Sequence, residues 1–362
     1  MTECARRLHA SHWQGVVYLT GGGSPLLSDL LAIPGASNTV LEAAVPYAAQ
    51  ALSELLGRAP EQAASAQTCR ALSMRAYQRA RDLGAKHAFG IGLSASLSSN
   101  EQKKGQTRAH WAIQTESKSA SFSLYFDNAD PRADQEQQLN EAAWATIELS
   151  LLNKDQHLAP STFHASEYAA SASWQPLLAA PAYATCTQQH DGRLLLPGSF
   201  NPVHTGHQEM LAVAEKITGL SGAFEMTLRN ADKPDLDYLT VHERLKALEH
   251  TPVWLTNLSN FEQKAERFPN AIFALGTDTL SRIAEPRFYA NDDARMHHAF
   301  ANMAEHGTRF LVFGRRLAEE FIELSDLDLP AELASLCKSV PAEQFRNDAS
   351  SSSIRARQTL DL

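Results

Sequence analysis

Two histidines three residues apart, His204 and His207, follow a tight polar turn in the second half of the chain. An apolar run at 194–196 precedes the turn, and a helix-compatible run at 208–217 follows it. This order predicts a strand, a turn and a helix, whose N-terminus offers unpaired N–H groups and the positive end of a dipole. The imidazoles add directional hydrogen-bond donors. Together they indicate a phosphate-binding site.

Composition limits the classes of protein that could carry this site. The chain has 362 residues, which predicts two or three domains, and its 44% hydrophobic and 20% charged residues are typical of a globular protein. A formal net charge of −9 gives no sign of the basic surface that nucleic-acid binding requires. The four cysteines fit neither a zinc motif nor a disulfide framework. Because no apolar run approaches the roughly 20 residues that span a bilayer, we expect a cytoplasmic protein without membrane or nucleic-acid partners.

Strands and helices alternate in both halves, which predicts an α/β fold. In the first half we predict strands at 16–19, 88–93, 109–115 and 121–126, and helices at 26–32, 48–56, 63–83 and 136–152. In the second half we predict strands at 194–196, 223–228, 253–257, 272–275 and 309–313, and helices at 208–217, 240–248 and 353–359. Thr240 is the expected N-cap of the helix at 240–248, with Glu243 completing a capping box.

A stretch rich in alanine and serine, 153–190, separates the two halves and contains three prolines. It predicts a connection between domains, with one helix at 167–178. The expected domains are therefore 1–152 and 191–362.

The segment from Gly198 to His207 resembles the signature of HxGH nucleotidyltransferases, approximately Gly-Thr/Ser-Phe-Asp/Asn-Pro-x-His-x-Gly-His. Three later segments match the same family in order. They are Asn230-Ala231-Asp232-Lys233-Pro234 followed by His242-Glu243-Arg244-Leu245, then Gly276-Thr277-Asp278-Thr279-Leu280, then Ser350-Ser351-Ser352-Ser353-Ile354-Arg355. The chain departs from the family pattern at Ala231, where the nicotinamide/nicotinate mononucleotide adenylyltransferases have proline, and at Ser352, which stands in a threonine position. Serine hydroxyls at a helix start, with an arginine one turn further, also form an anion cradle on physical grounds.

The resemblance implies a Rossmann-like domain with a parallel sheet. It implies that this domain transfers a nucleotidyl group from a nucleoside triphosphate to a phosphorylated acceptor, and it favours adenylyl as that group. It implies catalytic roles for His204, His207, Lys233 and Arg355. Implied nucleotide-binding residues are Gly198, Ser199, Phe200, Gly206, Gly276, Asp278, Ser351, Ser352 and Ile354. The resemblance places the element that contains Asp278 near the ribose of the nucleotide. Mg²⁺ would arrive with ATP, held by substrate and water, so no metal-binding residues are expected in the protein.

Several alternatives stay open. The segment around Lys233 favours nicotinamide mononucleotide (NMN) or nicotinate mononucleotide as acceptor, and Trp254, Phe261 or Phe288 could stack on its ring. A cytidylyltransferase and a non-catalytic nucleotide sensor or scaffold are the competing functions. Taken alone, either histidine could be a capping or core residue, and Asp278 could cap a helix that begins at Thr279.

Residues 13–152 resemble the CinA C-terminal domain, a family of NMN amidases. The matching parts are Thr20-Gly21-Gly22, the run Leu30 to Ser37, Val45-Pro46-Tyr47, Phe89-Gly90-Ile91-Gly92 and Lys104-Gly105-Gln106-Thr107. Tyr18 stands where the family has its nucleophilic serine, and Leu52 replaces the lysine. Since serine–lysine chemistry needs both partners, we expect a separate α/β domain without amidase activity, which serves as a scaffold or in homo-oligomerisation, although its glycine turn could still bind a nucleotide.

Overall fold

The computed structural model describes residues 1–100, 105–152, 163–229, 234–317 and 320–347. The chain divides into two compact units. The first unit is Met1–Gln175 with Asp232–His242, and the second is Pro176–Ala231 with Glu243–Leu362. None of the helices within the described ranges has the length and apolar character needed to cross a membrane.

The first unit is a mixed six-stranded sheet with helices on both faces. Its helices are α1 (Thr2–His9), α2 (Ser24–Ala32), α3 (Ala49–Leu56), α4 (Ala66–Asp82) and α5 (Arg132–Leu152), and its strands are β1 (Gln14–Thr20), β2 (Val40–Ala44), β3 (Ala88–Ser96), β4 (Arg108–Thr115), β5 (Lys118–Tyr125) and β6 (Phe163–Ala169). The strand order is β2-β1-β3-β4-β5-β6. Strand β1 is parallel to β2 and β3, whereas the pairs from β3 to β6 are antiparallel.

Helix α4 lies close against the sheet because glycines on β3 leave room for it. A Cβ atom at Gly90 would lie 2.1 Å from the carbonyl oxygen of Ser73, and one at Gly92 would lie 2.5 Å from that of Cys69. On the opposite face, Val17 and Leu19 pack in the main core cluster of this unit together with Trp144 of α5. Successive residues along a strand point to opposite faces of the sheet, so α4 packs on one face and α5 on the other.

A short segment from later in the chain, Asp232–His242, belongs to the first unit. Tyr238 is fully buried there; its backbone N–H donates to the Ser119 hydroxyl (2.9 Å) and its phenol donates to the Glu116 carbonyl (2.6 Å). Asp237 forms an ion pair with Arg70 (3.5 Å). These contacts hold the segment against the first unit.

The chain from Pro176 onward adds seven helices and nine strands among the described residues. The helices are α6 (Pro176–Ala179), α7 (Thr205–Thr218), α8 (Tyr238–Lys246), α9 (Phe261–Arg267), α10 (Thr277–Ile283), α11 (Asp293–Glu305) and α12 (Ala331–Ala334). The strands are β7 (Ala184–Cys186), β8 (Leu194–Pro197), β9 (Ala223–Thr227), β10 (Val253–Thr256), β11 (Ile272–Gly276), β12 (Arg309–Phe313), β13 (Arg315–Leu317), β14 (Glu320–Ile322) and β15 (Cys337–Val340).

Seven of these strands form the sheet of the second unit, in the order β15-β12-β11-β8-β9-β10-β7. All its pairs are parallel except β7 with β10. Without β7, the order counted from β8 is 3-2-1-4-5-6, that of a Rossmann fold. In such sheets ligands bind beyond the carboxyl ends of the strands where the order reverses, here β8 and β11. The predicted α/β class and parallel sheet are confirmed.

One face of this sheet contains a buried ion pair. The Lys264 ammonium on α9 lies 2.6 Å from the Glu225 carboxylate on β9, and the two side chains are 6% and 0% exposed. Phe273 and Phe310, on β11 and β12, belong to the neighbouring core cluster. The buried Thr256 hydroxyl on β10 donates to the same carboxylate, so the Glu225 side chain links α9 with two strands of the sheet.

Two local predictions are wrong, and a third is shifted. The expected helix at 167–178 is instead strand β6 followed by the short helix α6, because residues 163–169 pair along the open edge of β5. Helix α8 begins at Tyr238 and not at Thr240, since the Asp237 carboxylate accepts the Thr240 N–H (3.0 Å). Helix α7 begins three residues earlier than predicted and includes His207. The helix expected at 353–359 lies outside the described residues.

Candidate active site

The two histidines lie at the start of α7, directly beyond β8. His204 is the N-cap residue, and His207 is in the first turn. The backbone N–H of His204 donates to Nδ1 of His207 (3.3 Å), and the backbone N–H of His207 donates to the carbonyl of His204 (3.0 Å). Because Nδ1 of His207 accepts a hydrogen bond, its neutral ring carries the proton on Nε2. Nε2 is therefore a hydrogen-bond donor.

The imidazole of His207 is neutral at physiological pH. Burial, followed by the charges of His204 and Arg315, lowers the pKa of His207 to about 4. The pKa of His204 is lowered as well, first by burial and then by Arg315. The two ring centroids are 3.9 Å apart. A pair of neutral rings at a helix N-terminus can donate hydrogen bonds to an anion without repelling each other.

His204 has hydrogen-bonding capacity that the fold does not use. Both its ring nitrogens are shielded from solvent, and neither has a partner in the described part of the chain. A buried polar atom is normally paired with a protein group or with water. A ligand bound at the start of the helix could therefore form hydrogen bonds with the ring nitrogens of His204.

Three of the predicted nucleotide-binding residues shape the turn. Phe200 has a left-handed backbone (φ 46°), is 2% exposed and contacts the rings of Phe224 and His207 at centroid distances of 4.9 and 5.2 Å. A Cβ atom at Gly198 would lie 2.7 Å from the Phe200 ring, so this position requires glycine. At Gly206 a Cβ atom would lie 3.0 Å from Nδ1 of His204. These residues position the histidines through packing.

Ser199 is held in the turn through its backbone. Its carbonyl oxygen accepts a hydrogen bond from the Arg244 guanidinium on α8 (2.7 Å). Arg244 belongs to the second of the segments that resemble the family. The structure therefore brings this arginine to the histidine turn.

The carboxyl end of β11 supplies the second part of the site. Helix α10 begins at Thr277 with Gly276 as N-cap, so the alternative in which Asp278 caps a helix starting at Thr279 is wrong. Asp278 lies in the first turn of α10, and its Oδ1 is 3.6 Å from Nε of Arg315. Because β8 and β11 are adjacent parallel strands, the turns that follow them lie at the same edge of the sheet.

Sequence reasoning missed Arg315. This residue follows β12, and its charge is among the causes that lower the pKa of both His204 and His207. One sequence signal could have indicated it, namely an arginine two residues after the end of an apolar strand in a parallel sheet. Such positions lie at the ligand-binding edge.

Five predicted site residues lie outside the described residues: Lys233, Ser351, Ser352, Ile354 and Arg355. Their roles stay predictions.

The three candidate stacking aromatics differ in their surroundings. Trp254 packs edge-on against Phe268 at a centroid distance of 5.0 Å and donates from its indole to His190 (3.1 Å). Phe261 contacts the core rings of Phe273 and Phe310. Both are thus engaged in packing. Phe288 is partly buried and has two arginine side chains over its ring, those of Arg282 and Arg287.

Tyr18 and Leu52, at the two positions predicted to have lost catalytic residues in the first unit, are engaged in the fold. The Tyr18 phenol donates to the Glu42 carboxylate (2.9 Å), which also forms an ion pair with Arg79 (2.8 Å). Burial, followed by the hydrogen bond and the charge of Glu42, raises the pKa of Tyr18. Leu52 is 3% exposed. A protonated phenol and a buried leucine offer neither the nucleophile nor the base of a serine–lysine pair.

The glycine turn of the first unit is occupied by one of the unit's own side chains. The backbone N–H of Gly23 donates to the Glu136 carboxylate (2.7 Å), and the carbonyl of Gly21 accepts from Arg132 (3.0 Å). A phosphate bound to this N–H would have to displace that carboxylate. The contact favours the scaffold interpretation of this unit over nucleotide binding.

Comparison with known proteins identifies the class of the second unit. The model of the Cytidylyltransferase-like family matches residues 195–357. No curated protein matches the chain at a significant level. The strand order, the histidine turn and the family match define a Rossmann-type, cytidylyltransferase-like domain of the nucleotidyltransferase superfamily.

Solved structures similar to the N-terminal part of the chain are of the CinA family. The competence/damage inducible protein CihA from Agrobacterium tumefaciens is 19% identical with a TM-score of 0.37, covering 42% of this chain and 95% of that chain. The competence damage-inducible protein A (ComA) from Klebsiella pneumoniae subsp. pneumoniae MGH 78578 is 18% identical with a TM-score of 0.35, covering 42% and 98%.

Proposed function

We propose that the protein is a nucleotidyltransferase that moves an adenylyl group from ATP to the phosphate of NMN or nicotinate mononucleotide and releases pyrophosphate. The observation that carries this proposal is the histidine turn. It combines a ring whose nitrogens have no partner among the described residues, a neutral ring that donates from Nε2, and the N-terminus of α7. The family match over residues 195–357 supports the same class of reaction.

The chemistry needs no covalent enzyme intermediate. An oxygen of the acceptor phosphate forms a bond to the α-phosphorus of the triphosphate. The bond from the α-phosphorus to the bridging oxygen breaks, and its electron pair leaves with pyrophosphate. Since the attacking phosphate is already an anion, no general base is required. Catalysis therefore rests on positioning and on stabilising charge as it moves to the leaving group.

Each residue of the site has a task in this scheme. His207 donates a hydrogen bond from Nε2 to a triphosphate oxygen, and His204 beside it offers ring nitrogens that no other described residue binds. Lys233 and Arg355 would neutralise the phosphates, and Ser352 would bind a phosphate oxygen, as the family resemblance implies. Arg244 stabilises the turn that carries the histidines by binding the Ser199 carbonyl.

Mg²⁺ would accompany the triphosphate and lower its negative charge. The described residues contain no cluster of three or more His, Cys, Asp or Glu side chains suited to hold a metal ion. The site is instead built of imidazoles and a guanidinium, which bind phosphate oxygens. In this arrangement the protein binds the phosphates, and the phosphate oxygens together with water would coordinate the Mg²⁺ ion.

The donor base and the acceptor need separate support. The family description favours CTP as the alternative donor, whereas the segment around Lys233 and the serine motif before Arg355 favour ATP and a pyridine mononucleotide. Phe288, whose ring is neither in the core cluster nor stacked on another aromatic ring in the contacts described, is the best of the three candidates for stacking on the acceptor.

A matrix of donors and acceptors tests the proposal. ATP and CTP are each combined with NMN, nicotinate mononucleotide, phosphopantetheine and FMN in the presence of Mg²⁺, and pyrophosphate is measured. We expect release with ATP and one or both pyridine mononucleotides. Release with CTP alone would replace the adenylyl assignment, and nucleotide binding without release in any combination would favour a sensor.

For the first unit we infer a scaffold without amidase activity. The support is the engagement of Tyr18 with Glu42 and of Gly23 with Glu136. The test is ammonia release from NMN by the full chain, measured in the absence of nucleoside triphosphate. Ammonia release above that of a heat-inactivated sample would contradict the inference.

A further inference from the structure

Asp278 and Arg315 meet at the ends of two neighbouring strands. Strands β11 and β12 are parallel, with Gly276 paired to Phe313, so the residues that follow them leave the sheet side by side. Nε of Arg315 lies 3.6 Å from Oδ1 of Asp278, and the side chains are 27% and 44% exposed. Both charges are therefore accessible to a ligand and near enough to orient one another.

Gly276 makes this arrangement possible. A Cβ atom at that position would lie 2.4 Å from Oδ1 of Asp278 and 2.9 Å from Cγ of Arg315. Both side chains thus fold over the space that the glycine leaves. A side chain at 276 would have to displace the carboxylate, the guanidinium or both.

Arg315 also lies at the same edge of the sheet as the histidine turn, because β12, β11 and β8 are adjacent parallel strands. Its charge lowers the pKa of both His204 and His207. The site therefore combines neutral donors from the turn after β8 with a cation that follows β12. Arginine binds phosphate oxygens through several N–H groups in a fixed plane.

We propose that Arg315 is a catalytic residue, which binds triphosphate oxygens together with the two histidines, and that Asp278 positions its guanidinium. This inference rests on the proposed nucleotidyl transfer. It changes the expected role of Asp278, which the family resemblance placed near the ribose. The Arg315 guanidinium neutralises the charge that moves onto pyrophosphate as the bond to the α-phosphorus breaks.

The first experiment separates positioning of Arg315 from binding of ribose. In the active full chain, Arg315→Gln is expected to lower kcat about 100-fold, and Arg315→Lys by less. Asp278→Asn is expected to lower kcat about tenfold, by the same factor with ATP and with 2′- or 3′-deoxy-ATP. The double variant should be no slower than Arg315→Gln alone, because Asp278 acts through Arg315.

Arg309→Gln is the matched control, since this exposed arginine lies at the opposite end of β12. It should leave kcat and KM unchanged. If the Asp278→Asn defect disappears with a deoxy donor, the aspartate binds ribose and the positioning role is wrong. If Arg315→Gln turns over like wild type, the whole inference is wrong.

A second measurement does not depend on turnover. The imidazole signals of His204 and His207 are titrated by NMR in the wild type and in Arg315→Gln. Removing the cation should raise both pKa values, whereas Arg309→Gln should leave them unchanged. Unaltered titration in folded Arg315→Gln would place the guanidinium away from the rings and overturn the inference. A wild type that releases no pyrophosphate with any donor would overturn the proposed function itself, so the two failures are distinguishable.

Discussion

Replacing His207 with asparagine removes one hydrogen-bond donor from the proposed site while keeping the local turn. In the wild type, Nδ1 of His207 accepts the backbone N–H of His204 at 3.3 Å, which leaves the proton on Nε2. The asparagine side-chain oxygen can replace Nδ1, but its amide nitrogen does not reach the position of Nε2. Glutamine has the opposite property. The two variants thus separate the structural from the catalytic function of the ring.

The magnitude follows from the charge state of the ring. With the pKa of His207 at about 4, the imidazole is a neutral donor at pH 7. Loss of one preorganised donor to a developing oxyanion costs about 2.7–4 kcal/mol of transition-state stabilisation, or roughly 100- to 1,000-fold in kcat. We expect this loss for His207→Asn and a smaller one for His207→Gln. The wild-type rate should be independent of this group from pH 8 down to about pH 5.

The assay is continuous pyrophosphate release with saturating donor and acceptor, together with thermal unfolding. His298→Asn, on the exposed face of α11, is the matched control and should have wild-type kcat. A folded His207→Asn variant with a kcat within threefold of wild type would refute the reasoning, as would a larger defect in His207→Gln than in His207→Asn.

Three further predictions concern stability. Lys264→Met leaves the Glu225 carboxylate buried without its ammonium and should cost about 3–5 kcal/mol in urea unfolding, and the additional change Glu225→Gln should recover part of this loss. Tyr238→Phe leaves the Glu116 carbonyl without the phenol and should cost about 1–3 kcal/mol. Burial, followed by the charge of Arg108, lowers the pKa of His110 from 6.5 to about 4, so the unfolded chain takes up its proton first as the pH falls. This contribution to the free energy of unfolding is complete above pH 6.5 and falls by up to about 3 kcal/mol on acidification to pH 4, and His110→Gln should lack that part of the loss.

Exposed residues of the same types provide the controls. Lys216→Met, Tyr47→Phe and His298→Gln should each change the free energy of unfolding by less than about 0.5 kcal/mol. If Lys264→Met changes the free energy of unfolding as little as Lys216→Met does, the ion pair between Lys264 and Glu225 does not stabilise the fold. For Tyr238, a wild-type unfolding midpoint in the phenylalanine variant would contradict the hydrogen bond to Glu116. The pH argument fails if His110→Gln and wild type lose stability in parallel.

The histidine turn could be predicted because its signals are local. An apolar run, an Asn-Pro turn and a helix-forming run lie within about twenty residues, and each depends on nearest neighbours only. The structure confirms the order, with β8 before the turn and α7 after it. Only the start of the helix was misplaced, because His204 occupies the N-cap position without belonging to the usual capping residue types.

Features that depend on distant pairing could not be predicted. Strand β6 has no β-branched residue, and its last three residues fall within the helix expected at 167–178, yet it pairs with β5 from Lys118 to Leu124. The segment ending at His242 belongs to the first unit through contacts of Asp237 and Tyr238 with residues more than a hundred positions away. Arg315 likewise becomes part of the site only when β12 takes its place beside β11. Local sequence patterns do not specify such long-range partners.

The central claim is that this chain transfers a nucleotidyl group at the histidine turn, and following the α-phosphorus tests it most directly. ATP labelled at the α-phosphorus is incubated with Mg²⁺ and a pyridine mononucleotide, and the products are separated. We predict that the label appears in a dinucleotide, with one pyrophosphate released for each product, and that His207→Asn slows both in parallel. Label that remains in ATP, or appears in AMP without a dinucleotide, would contradict the account.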